Sequence, residues 1–187
     1  MSEKATRIDT IIGIDPGKAG GIAIYMPGVG TKVMRMPTQV GDLVEMLKYY
    51  SENFTPLVFL EKLSVHLDDA SVSGGRVNMG KVIRLQKLMA NYEQLRTVLE
   101  ILGIPYVMVH PMTWQTKLNL RRTGEKEDKV KRKRRYVDFV KGLYPDIRAT
   151  LWNTDALLIM HFGRYAIANE RAWIKSNLPE SEYDKIY

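Results

Sequence analysis

The sequence predicts an α/β fold with one mixed five-stranded sheet and helices on both faces of that sheet. Three features support this fold: apolar, β-branched runs separated by short turns near the start, later apolar strands separated by helices, and long helical patterns. A hairpin meander pairs antiparallel, whereas strands joined through helices pair parallel, so the sheet should contain both kinds of pairing. The length of 187 residues fits one domain, 1–187, with flexible tails expected at 1–8 and 176–187.

Glycine and proline turns mark the ends of the expected elements. The expected strands are 9–15, 20–26, 31–36, 57–61 and 106–109. The expected helices are 41–53, 79–102, 126–143 and 154–175. A polar, glycine-containing loop at 66–78 joins the fourth strand to the longest helix.

The composition excludes several classes of protein and site. The chain has no cysteine, which excludes disulfides, cysteine-ligated zinc and cysteine nucleophiles. Its three histidines show no ligand spacing, so a bound metal would be held by oxygen, as magnesium and manganese are. No apolar run approaches the length of a membrane span, and the first residues lack the apolar core of a signal peptide. We therefore expect a cytoplasmic protein with no membrane partner.

Two apolar strands end in a carboxylate. Asp15 follows the run 11–14 and leads into a Pro-Gly turn, and Glu61 ends the run 57–60. If the two strands are neighbours, these carboxylates face one another, and at about 4 Å they repel by roughly 4 kcal/mol. A divalent cation between them would relieve that repulsion. Asp155, at the start of the last helix, is either a third ligand or an ordinary helix-capping residue.

Most of the excess positive charge lies in one segment. The formal net charge is +7, and basic residues are concentrated between Arg121 and Lys141. Such a segment is either a solvated helix face or a binding surface for a polyanion. The predicted DNA-binding residues are Lys117, Arg121, Arg122, Lys126, Lys129, Lys131, Lys133 and Arg134.

Four short segments, in this order, resemble RuvC-type Holliday-junction resolvases of the ribonuclease-H-like nuclease superfamily, most closely the compact phage forms. They are Gly13-Ile14-Asp15-Pro16-Gly17, Phe59-Leu60-Glu61-Lys62, His110-Pro111-Met112-Thr113-Trp114 and Asp155-Ala156-Leu157-Leu158-Ile159. The resemblance implies a ribonuclease-H-like domain in a bacterial or phage-infected cell. It also implies metal-dependent cleavage of four-way or related branched DNA.

By the same resemblance, Asp15, Glu61 and Asp155 would hold two Mg²⁺ or Mn²⁺ ions. A lysine near the start of the basic helix would assist at the cut phosphate, and Lys131 is assigned that role from the candidates Lys117, Lys129 and Lys131.

The chain departs from the family pattern one helical turn before Asp155. The family usually has a further acidic residue there, whereas this chain has Trp152 followed by Asn153. Asn153, included among the catalytic candidates, is a helix cap, a neutral metal ligand, or the replacement of an aspartate. If the fourth carboxylate is missing, the alternative function is a catalytically weakened protein that binds branched DNA.

The longest helix predicts a homodimer. Leu85, Leu88, Tyr92, Leu95, Leu99 and Leu102 form one apolar stripe, which packs on the sheet. Further apolar residues, Val82, Ile83, Met89, Val98 and Ile101, widen this surface and favour a second partner. A two-fold dimer would match the approximate two-fold symmetry of a four-way junction.

Overall fold

The computed structural model describes residues 8–63, 78–121, 128–178 and 182. Its strands are β1 (Thr10–Asp15), β2 (Gly21–Met26), β3 (Gly30–Arg35), β4 (Pro56–Glu61) and β5 (Tyr106–Val109). Its helices are α1 (Val40–Asn53), α2 (Met79–Ile101), α3 (Pro111–Lys117), α4 (Lys129–Leu143), α5 (Thr154–Asn169) and α6 (Arg171–Asn177). Most of the two expected tails and of the expected loop at 66–78 lies outside the described residues.

The five strands form one mixed sheet in the order β3-β2-β1-β4-β5. The meander β1-β2-β3 is antiparallel, and β1 pairs in parallel with β4, which pairs in parallel with β5. The predicted mixed sheet is therefore confirmed, and β1 and β4 are neighbours as the carboxylate argument requires.

Alternation along the central strands divides the core between the two faces of the sheet. Ile12 and Ile14 of β1 pack with residues of α1 and α2, such as Leu47 and Leu95. Ile11 lies on the opposite side, in the cluster that contains the buried residues of α5. Since side chains alternate between faces with a period of two, helices cover both faces, as predicted.

The helices differ from those expected from the sequence in two places. Helix α3 was not predicted, because seven residues are too few to show a helical period. His110 caps this helix by accepting a hydrogen bond from the Met112 amide, and Pro111 is its first residue. The expected last helix is divided at Glu170, which leaves helical conformation and pairs with Lys117 of α3. That contact between distant parts of the chain is invisible to local periodicity.

Within the described part of the chain, no helix is long and apolar enough to span a bilayer.

Gly13 in the middle of β1 allows α5 to approach the sheet closely. A Cβ atom at this position would lie 2.3 Å from the Met160 amide nitrogen and 2.6 Å from the Ala156 carbonyl oxygen of α5. Both neighbours are backbone atoms, which cannot move without moving the helix. The absence of a side chain at Gly13 therefore sets the distance between β1 and the first turns of α5.

Gly13→Ala should destabilise the protein by about 1–3 kcal/mol, because the added methyl group overpacks against a helix backbone. The free energy of unfolding, measured by chemical denaturation, checks this. The matched control is Gly41→Ala: Gly41 lies in α1, and a Cβ atom there would meet nothing within 4 Å. That control should be neutral or slightly stabilising. Equal effects of the two substitutions would contradict the close approach of α5.

Candidate active site

Two of the predicted carboxylates end neighbouring strands on the same face of the sheet. Ile14 pairs with Leu60 in the parallel register, so Asp15 and Glu61 follow side by side on strands about 4.8 Å apart. Because side chains alternate between the two faces of a strand, both carboxylates lie on the face of the sheet that α5 covers, where Gly13 contacts the helix backbone.

The third predicted carboxylate comes from the helix that packs on this face. Asp155 lies in the first turn of α5, where the helix dipole favours a negative charge. Its charge raises the pKa of both Asp15 and Glu61. The structure thus brings together the three acidic residues that the sequence analysis assigned as ligands.

The environment of the cluster disfavours ionised carboxylates. Burial raises the pKa of Asp15 to about 7, the charge of Asp155 adds to this, and Lys133 opposes it. Burial also raises the pKa of Glu61 to about 8, and the charges of Asp15 and Asp155 add smaller increases. Lys133 and a weak polar contact from Trp114 lower this pKa in part. Without more positive charge, the two strand-end carboxyls therefore hold protons near neutral pH.

The unpaired oxygens of the cluster are suited to a divalent cation. Glu61 Oε2 and Asp155 Oδ1 are buried and have no hydrogen-bond partner. Carboxylate oxygens in this condition are costly, and they are the ligands that Mg²⁺ prefers. Over the described ranges, however, no three acidic or histidine side chains are already arranged as a metal site. The donor chemistry fits a divalent cation, and binding would require the three side chains to close around it.

Lys133, rather than Lys131, is the lysine at the carboxylates. The Lys133 ammonium of α4 contacts Asp155 Oδ2, and its side chain is 29% exposed. Lys131 is exposed and lies two residues away, about 200° around the helix, so it faces away from the cluster. The sequence analysis placed Lys133 only in the DNA-binding group. The sequence contains a pattern that points to Lys133. This lysine precedes the buried Tyr136 by three residues and the buried Val140 by seven, so all three lie on the same side of α4.

Asn153 holds the loop in front of α5. Its side-chain oxygen accepts a 2.8 Å hydrogen bond from the Thr150 amide, and its side-chain nitrogen donates a 3.0 Å bond to the Arg148 carbonyl. It stands at the N-cap position of α5, as the helix-cap alternative predicts, but its side chain makes no capping bond. Both of its polar groups are engaged in the loop, and its assignment as a catalytic residue stays a prediction.

Trp152 occupies the region where the family pattern led us to expect a further acidic residue. A Cβ atom on Gly21 of β2 would lie 3.2 Å from the Trp152 ring, and the Arg35 guanidinium stacks on that ring at 4.9 Å. The indole therefore closes the space beside the start of β2 by packing.

The predicted DNA-binding residues lie in different surroundings. Lys129, Lys131 and Arg134 are exposed on α4, and Arg121 is exposed beyond α3. Lys117 pairs with Glu170. Arg122 and Lys126 lie outside the described residues.

A cleft of about 840 Å³ opens beside Asp15. Its walls are the β1–β2 turn, the loop Pro37–Gln39, the first half of α2, Leu151 and the Lys133 side chain. Asp15 therefore lies between the buried carboxylate cluster and an open groove.

No protein-family model and no curated protein matches the chain. Solved structures of RuvC resemble it, and two of them are compared with the chain. RuvC of T. thermophilus in complex with a Holliday junction substrate is 16% identical with a TM-score of 0.55, over 86% of this chain and 96% of that one. A second Thermus thermophilus RuvC structure is 13% identical with a TM-score of 0.51, over 90% of this chain and 98% of that one. The mixed sheet and its helices are therefore those of the RuvC-type, ribonuclease-H-like fold.

Proposed function

We propose that the protein is a Mg²⁺- or Mn²⁺-dependent endonuclease that cuts four-way or related branched DNA. The observation that carries the proposal is the meeting of Asp15, Glu61 and Asp155, from two neighbouring strands and a helix, in a RuvC-type fold. Asp15 connects this cluster to an open cleft. One of the similar structures is a RuvC bound to a Holliday junction substrate, which supports branched DNA as the substrate class.

Each residue of the cluster would have a distinct task. Bound by the three carboxylates, two divalent ions would activate a water and stabilise the leaving 3′-oxygen of the cut strand. Asp15 and Glu61 end paired strands, so their backbone positions are fixed before a substrate arrives. Lys133 partly neutralises Asp155 and supplies a donor for a phosphate oxygen.

The exposed cations of α4 would hold the DNA backbone. Lys131 and Arg134 are exposed on the side of α4 opposite the buried Tyr136 and Val140, and Lys129 is exposed in the first turn of the helix. Contacts of this kind give affinity that depends on salt and carries little base preference.

We also propose that the protein acts as a homodimer through α2. The second half of this helix buries Tyr92, Leu95 and Leu99 against the sheet, whereas Ile83 in its first half is 47% exposed. A second copy could cover the exposed apolar residues Met79 and Ile83 at the start of this helix. Sedimentation velocity tests the proposal: a protein that stays monomeric at micromolar concentration would contradict it.

A second candidate function is a branched-DNA-binding protein with weak catalysis. The observation that favours it is the pair Trp152 and Asn153, which stand where the family pattern has an acidic residue. Trp152 packs against the start of β2, and Asn153 forms a hydrogen bond with the loop before α5. The two candidates differ in whether the protein cuts bound junctions when a divalent metal is present.

Asp15→Asn should reduce junction cleavage by at least about 100-fold, because the amide removes a negative ligand at the centre of the cluster. Cleavage of a labelled four-way junction with Mg²⁺ or Mn²⁺ measures this, and binding of the same junction should be retained. The matched control, Asp42→Asn, changes an exposed acid in the first turn of α1. Equal cleavage by Asp15→Asn and the parent would reject the nuclease assignment, and no cleavage by the parent itself would favour the second candidate.

Without divalent metal, the free energy of unfolding should fall as the pH rises from about 5 to about 8. The folded-state pKa values of Asp15 and Glu61, about 7 and 8, exceed their ordinary values of 3.8 and 4.5. In this window the folded protein binds more protons than the unfolded chain, so stability is lost at up to about 1.4 kcal/mol per pH unit and group.

Chemical denaturation across this pH range, with Asp15→Asn as comparison, measures the effect. The substitution should flatten the profile, and Mg²⁺ should restore stability at the alkaline end. A parent profile that rises over the same range would contradict the arrangement of the cluster.

Lys133→Met should lower the single-turnover cleavage rate far more than Lys131→Met does, by about tenfold or more, because only Lys133 contacts the carboxylates. Both substitutions remove one positive charge from the same helix, so a general electrostatic effect is the same in each. Rates measured with enzyme in excess over a labelled junction check the order. A larger loss for Lys131→Met would favour the original assignment of that residue.

A further inference from the structure

The cleft beside Asp15 has a cationic wall that lies outside the basic segment 121–141. Arg84 and Lys87, both on the first half of α2, line this cleft. They are three residues apart and therefore lie on the same side of the helix. Lys18 of the β1–β2 turn and Lys133 of α4 also line it.

Three of the four cations in the cleft are not compensated by the described residues around them. Among the described residues that line it, Asp15 is the one acid beside these four cations. Arg84, Lys87 and Lys18 form no ion pair with the described part of the chain, whereas Lys133 is paired with Asp155. Cations left unpaired in a concave surface attract an anion, and several in a row attract a polyanion.

Helix α2 is fixed against the turn that follows Asp15. The Asn91 side-chain oxygen accepts a 2.9 Å hydrogen bond from the Gly17 amide. A Cβ atom on Gly17 would lie 2.8 Å from Leu88 Cδ1, so the turn and the helix are in direct contact there. Gly17 also has a φ of 108°, which a residue with a side chain rarely adopts. The cationic wall is therefore held at a set position relative to Asp15.

The size of the cleft favours one strand of nucleic acid. Its volume of about 840 Å³ is on the scale of a pocket for a small molecule. A duplex is much larger, since its major groove alone is about 12 Å wide. The cleft is also continuous with Asp15 and Lys133, so a strand lying in it would reach the carboxylates.

We propose that this cleft binds the cleaved DNA strand next to the cut phosphate, and that Arg84 and Lys87 of α2 contact its phosphates. The proposal rests on the nuclease function and adds a second binding surface to it. The strand lies between the β1–β2 turn and α2, while the exposed cations of α4 hold the DNA on another side. Asn91 is a positioning residue that keeps α2 beside the turn.

The test is the binding of a four-way DNA junction in EDTA, which prevents metal-dependent cleavage, at several salt concentrations. The double variant Arg84→Gln/Lys87→Gln should bind about tenfold more weakly than the parent at moderate salt. The slope of log affinity against log salt should decrease in magnitude by about 1.4, which is the change expected when two phosphate contacts on a single strand are lost.

Two control variants separate local contacts from net charge. Lys32→Gln/Lys48→Gln removes the same charge from β3 and α1, outside the cleft, and should leave the slope unchanged. Arg84→Lys/Lys87→Arg keeps the charges of the cleft and should keep the slope close to that of the parent. Equal slopes for the two glutamine variants, with a parent that binds junctions, would overturn the proposal and leave the nuclease function intact.

A crosslinking measurement on the parent protein keeps the proposal testable if the glutamine variant does not fold. A junction with 4-thiothymidine beside its branch point should crosslink to the segment 84–91, identified by mass spectrometry. Crosslinks confined to other segments would overturn the proposal. A parent protein that binds no junction at all would instead refute the proposed function, and this inference with it.

Discussion

The contact between Gly13 of β1 and the first turns of α5 is the constraint on which the site depends. A side chain at Gly13 would collide with backbone atoms of Ala156 and Met160, so the start of α5 lies close to β1 because Gly13 has no side chain. The same strand ends two residues later in Asp15, and the same helix turn carries Asp155. The packing of the core therefore sets the spacing of the carboxylates, and a change in one changes the other.

Electrostatics makes this arrangement costly for the protein alone. Burial and mutual repulsion raise the pKa values of Asp15 and Glu61, and Lys133 compensates only part of the charge. Groups with strongly shifted pKa values that cluster beside an open cleft are typical of functional sites, and Asp15 lines such a cleft. A cluster of this kind is stabilised by whatever brings positive charge to it, which is why the proposed function includes a divalent cation and a cationic track for DNA.

The sequence predicted the parts of the structure that depend on local patterns. The β-branched runs and their turns predicted all five strands and the mixed sheet, and the carboxylates at two strand ends predicted that Asp15 and Glu61 would meet. Features set by contacts between distant segments were missed. The break at Glu170 coincides with its ion pair to Lys117, which is distant in the sequence. The hydrogen bonds of Asn153 are local, but they depend on the path of the irregular loop before α5, which no periodic pattern predicts. The catalytic role of Lys131 stays a prediction. The contact of Lys133 with Asp155 was not predicted, because it depends on the helical phase set by Tyr136 and Val140.

The most direct test of the central claim is a crystal structure with Mn²⁺, located by its anomalous scattering. We predict at least one anomalous peak within about 2.0–2.6 Å of oxygens of Asp15, Glu61 and Asp155, the range of hard-cation contacts to oxygen ligands. In that structure Lys133 should have moved away from Asp155 Oδ2. A well-ordered cluster that carries no peak at Mn²⁺ concentrations supporting cleavage, or a peak held by other residues, would contradict the account.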